Sequence, residues 1–100
     1  MLILLPLDDK DLEKAKLCKL DDVAVWGLVN LQDGRIKKID LHNDWLKIDE
    51  YFDCVVVTSQ GEYVWPFKEQ SIPVLEAPVQ RTIEDVIEAF LFKELYEVLN

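Results

Sequence analysis

The sequence predicts a single α/β domain over residues 1–100, with a mixed five-stranded sheet flanked by helices and a long C-terminal helix. Three observations predict it. Short apolar runs alternate with polar stretches of helical spacing, the order from which α/β domains are made. Asp33-Gly34 lies between two such runs and signals a two-residue hairpin, so one strand pair is antiparallel and the sheet is mixed. The last segment has a marked helix start. Thr82 stands at the N-cap position, Asp85 completes a Thr-x-x-Asp capping pattern, and Glu84 and Asp85 put negative charge at the positive end of the helix dipole.

Residues 1–7 (MLILLPL) are continuously apolar, as a strand buried on both faces is, with Pro6 expected to end or bend its pairing. Residues 8–22 are polar, and Leu12, Ala15 and Lys16 hint at a short helix capped by Asp8 or Asp9. Residues 23–31 (VAVWGLVNL) form the second strand and 35–41 (RIKKIDL) return from the hairpin. The apolar spacing of that return strand shifts between Ile36 and Ile39, which predicts a bulge, and its basic residues mark an edge. Residues 42–50 are a connection or short helix. Residues 53–58 (DCVVVT) are a fourth, buried strand, and a turn at Ser59-Gln60-Gly61 follows. A short helix begins near Trp65, because Pro66 is tolerated only in a first helical turn. Residues 71–76 are the fifth strand, parallel to the fourth through that helix. From Thr82 to Leu99, Ile83, Val86, Ile87, Phe90, Leu91, Leu95, Val98 and Leu99 recur at helical spacing.

The net charge of −9 sets limits on function. Phosphate backbones repel an acidic surface, and Arg35-Lys37-Lys38 is the largest basic cluster, so nucleic-acid binding is not expected; a basic partner is favoured instead. The apolar runs are too short to span a bilayer, and the start lacks a basic n-region, so the expected location is the cytoplasm with no membrane association.

Few side chains offer chemistry. Cys54 lies in an apolar run and packs as a reduced thiol. Cys18 and His42 are the available thiol–imidazole pair for a metal, and a closed site needs about four ligands, with Asp21 or Asp22 helping; the alternative is a surface thiol and a loop histidine. Asp8, Asp9, Asp11, Asp21 and Asp22 are clustered carboxylates of the kind that hold Mg²⁺, or else solvated loop and capping residues. Thr58, Ser59 and Gly61 fall at a strand-to-helix turn, where amides and hydroxyls hold a small anionic ligand or simply close the turn. Trp65 and Phe67 either pack in the core or contact a partner protein, and Phe92 is the candidate for an exposed contact, in a weak dimer if the chain is not a monomer.

Four stretches together resemble the dinitrogenase iron–molybdenum cofactor biosynthesis family, which includes NifX and the C-terminal region of NifB. They are LILLPLDD, VWGLVNLQDGRIKKID, FDCVVVTSQGEYVWPFKEQSIPVL and TIEDVIEAFLFKELYEVL, in that order. The resemblance implies a ribonuclease H-like fold and a non-catalytic accessory or carrier protein for iron–sulfur or iron–molybdenum cluster precursors. Where that family usually carries a histidine–phenylalanine–glycine–arginine stretch, this sequence has Lys19-Leu20-Asp21-Asp22, with Cys18 adjacent. The other expectation is therefore a protein-interaction module that has kept the fold and lost the cluster site. A Mg²⁺-dependent phosphoryl-transfer enzyme is a third and more distant reading, because the chain lacks a basic substrate face.

Overall fold

The structure, a computed structural model, describes residues 1–99. Six strands form one mixed sheet among these residues: β1 Leu2–Leu7, β2 Val25–Gln32, β3 Arg35–His42, β4 Cys54–Val57, β5 Val74–Glu76 and β6 Tyr96–Glu97. They lie in the order β3-β2-β1-β4-β5-β6. β1–β2, β2–β3 and β5–β6 are antiparallel, while β1–β4 and β4–β5 are parallel. Two α-helices, α1 Trp65–Glu69 and α2 Ile83–Leu91, accompany single 3₁₀ turns at Leu20–Asp22 and Trp45–Lys47.

β1 is central, and Ile3, Leu4, Leu5 and Leu7 are fully buried. Alternate residues feed two cores on opposite faces of the sheet, as the two-residue pleat requires. On one face Ile3, Leu5, Val29 and Val56 pack under Ile83, Val86 and Ile87 of α2. On the other, Leu4, Leu28 and Val55 join Trp26, Phe52 and Phe67. Phe67 of α1 meets the rings of Trp26 and Trp45 at centroid distances of 6.1 and 4.5 Å.

The hairpin forms as predicted. Asp33 and Gly34 both take positive φ (55° and 76°), the geometry of a two-residue turn that matches the strand twist. The bulge is also present: Asn30 faces Lys38 and Leu31 faces Ile36, so Lys37 is the extra residue on β3.

Four expectations are corrected. The sheet has six strands, because the predicted long C-terminal helix stops at Leu91 and the chain returns as β6. Its end is a Schellman turn. Lys93 takes φ 59°, Lys93 N–H donates to Phe90 C=O at 3.1 Å, and Glu94 N–H reaches back to Ala89 C=O at 2.8 Å. Leu95 and Val98, which extend the helical spacing, instead pack on opposite faces of the sheet.

Residues 8–19 form no helix. Asp9 and Asp11 carboxylates accept from the amides of Asp11 and Glu13, an alternative that short polar side chains offer the backbone. Ala15 and Leu17 point into the core, and residues 16 and 17 bridge to Thr82 and Leu7.

Pro6 does not end β1, which pairs with β2 as far as Leu7. Pro6 C=O accepts from Cys18 N–H and, two residues on, Asp8 N–H donates to Lys16 C=O, so the missing proline N–H faces the 16–18 segment. The β1–β4 register ends at Leu4, so no ladder bond is lost there. Phe67, finally, is 2% exposed and is unavailable to a partner.

Candidate functional site

β1 and β4 are parallel neighbours whose chains leave in opposite directions, β1 toward β2 and β4 toward β5. The crevice beyond the C-terminal ends of such strands is where open α/β sheets place their ligands. Here two loops close on it. Residues 18–22 run past the end of β1, and residues 58–62 leave the end of β4. Lys19, Leu20, Asp21, Ser59, Gly61 and Tyr63 line a depression of about 440 Å³ with Glu62 at its wall. Thr58, Ser59 and Gly61 are therefore brought together with the Lys19-Leu20-Asp21-Asp22 stretch.

Glu62 joins the loops. One carboxylate oxygen accepts from Leu20 N–H at 2.6 Å. The other accepts from Thr58 N–H at 2.9 Å, Ser59 N–H at 3.1 Å and the Thr58 hydroxyl. The remaining donors of the turn are also taken. Gln60 N–H and its side-chain amide donate to the Glu76 carboxylate, and Gly61 N–H donates to Ser59 Oγ. A turn expected to cradle an external anion has its donors filled from within the chain, by the Glu62 and Glu76 carboxylates and the Ser59 hydroxyl. Glu62 was not singled out from the sequence. The local signal was a carboxylate four residues beyond a hydroxyl at a strand end, the spacing at which a tight turn brings the two together.

Cys18 and His42 are not brought together. Cys18 lies beside Pro6 on the β4 side of β1, and Pro6, Trp26 and His42 stand in register across β1, β2 and β3. Three strand spacings separate Cys18 from His42, about 14 Å. His42 Nε2 is buried and has no hydrogen-bond partner among the described residues. The Cys18 thiol is pushed up to about 11, first by burial and then by the carboxylates of Asp8, Asp22 and Glu62. Metals bind the thiolate, which these surroundings disfavour. Cys54 is buried in β4 and its thiol is pushed up to about 12, mainly by burial and then by Asp53.

No three His, Cys, Asp or Glu side chains converge on a common point where a metal ion would sit, among the described residues. Asp8, Asp9 and Asp11 are spent on amides of their own loop: Asp8 accepts from Lys16 N–H, Asp9 from Asp11 N–H and Asp11 from Glu13 N–H. The residues present thus do not fit an iron–sulfur or iron–molybdenum cluster held by Cys18 and His42. At the mouth of the crevice two aromatics face solvent: Tyr63 is 73% and Trp65 55% exposed, and they line a second recess of about 210 Å³ with Val64 and Lys68.

The fold and crevice define a small mixed α/β protein with a site at the end of its central parallel strands. The chain is similar in structure to a Methanocaldococcus jannaschii protein provisionally described as a dinitrogenase. Its crystal structure matches with a TM-score of 0.76 and 18% identity over 100% of this chain and 96% of that one. The NMR structure of the same protein gives 0.78 and 18% over 100% and 94%. A protein named PH0822 matches with a TM-score of 0.72 and 18% identity over 97% and 96%. At this identity the likeness is one of fold. No family model matches the sequence, and no curated protein matches it.

Proposed function

We propose that this chain is a non-catalytic protein-interaction module of ribonuclease H-like fold, in which the end-of-sheet site has been closed by Glu62. The strand order β3-β2-β1-β4-β5 supports the fold reading, and the likeness to the provisional dinitrogenase supports an origin among cluster-handling proteins. One observation carries the functional reading: the amides of Leu20, Thr58 and Ser59 end on the Glu62 carboxylate and those of Gln60 and Gly61 on Glu76 and Ser59 Oγ, so the turn has few donors left for a ligand. What remains exposed at that end is aromatic. Tyr63 and Trp65 present large, stiff surfaces with polar tips, the residue types that anchor protein interfaces. In this reading the chain meets its partner in the cytoplasm.

Affinity capture from the native host with the wild type and Trp65→Ala side by side tests this reading. A partner retained by the wild type and lost by the variant, with unchanged thermal unfolding, is the expected result. Equal retention by both removes Trp65 from the interface and contradicts the proposal.

A second reading is favoured by the fold likeness alone: an accessory or carrier protein that takes an iron–sulfur or iron–molybdenum cluster precursor as cargo. It requires Glu62 to be displaced and Cys18 to ionise.

A further inference from the structure

We draw no further inference here: the strongest candidate, the open groove lined by Leu75, Phe90, Leu91, Lys93 and Leu95 between the end of α2 and the edge strand β6, carries none, because nothing in the structure shows what covers it.

Discussion

The Glu62 carboxylate accepts from Leu20, Thr58 and Ser59, and the contact to Leu20 spans 42 residues of sequence. Removing an acceptor leaves half-buried donors without partners, which costs more than the bond itself contributes. Glu62→Ala is therefore expected to destabilise the chain by about 2–3 kcal/mol in urea unfolding, with Glu62→Gln keeping part of that because its amide oxygen still accepts. A loss within error for both would show that Glu62 does not hold the loops.

The thiols give a second test at this scale. Both are raised above the ordinary 9.0, Cys18 to about 11 and Cys54 to about 12. Below pH 9 both states hold neutral thiols and nothing changes. Above it the unfolded chain loses its protons first, so stability falls as pH rises from 9 toward 11 and 12. Thermal unfolding across that window is expected to fall more steeply for the wild type than for Cys54→Ala. Parallel curves would contradict the burial of the thiol.

Among the elements, α2 shows where sequence patterning serves well and where it misleads. Its start was legible because the signal is local: Thr82 Oγ1 accepts from Asp85 N–H at 3.1 Å, as the capping pattern predicts. Its end was not. Leu95, Val98 and Leu99 sit at helical spacing, and no glycine or proline marks the stop. The break is made by Lys93 in a left-handed conformation that costs a non-glycine residue roughly 1 kcal/mol, a cost met by burying Val98 and Leu95 against the sheet. Lys93→Gly is expected to stabilise by about 0.5–1 kcal/mol, after allowance for glycine's greater freedom when unfolded. A loss of stability would mean that the lysine side chain matters more than the turn.

In β2, Gly27 stands opposite Leu5, and a Cβ there would lie 2.7 Å from Leu7 Cδ1. Leu7 is fully buried and has little room to move, so Gly27→Ala is expected to cost about 1–3 kcal/mol by overpacking. Thermal unfolding of that variant checks it; an unchanged midpoint would show slack in this part of the core.

At the scale of the molecule, the β1–β4 pair organises everything else, since both cores and the crevice depend on it. The sheet was legible because continuous apolar runs and the Asp33-Gly34 turn are local signals. The site was only half legible. Thr58, Ser59 and Gly61 were rightly placed at a strand-end turn, and Lys19 to Asp22 meets them in space. That Glu62 would fill the turn depends on a side-chain direction that one-dimensional spacing does not carry. Nor does spacing show that β1 and β2 intervene between Cys18 and His42.

Glu62 takes up the Leu20, Thr58 and Ser59 amides at the crevice, and the proposed reading expects no metal cluster to bind there. Anaerobic reconstitution of the intact chain with iron and sulfide, followed by desalting, iron analysis and a visible spectrum, tests it most directly. The expected result is a folded protein without bound iron and without charge-transfer absorbance. Retention of stoichiometric iron with such absorbance, lost in Cys18→Ser, would contradict it and restore the cargo-carrier reading.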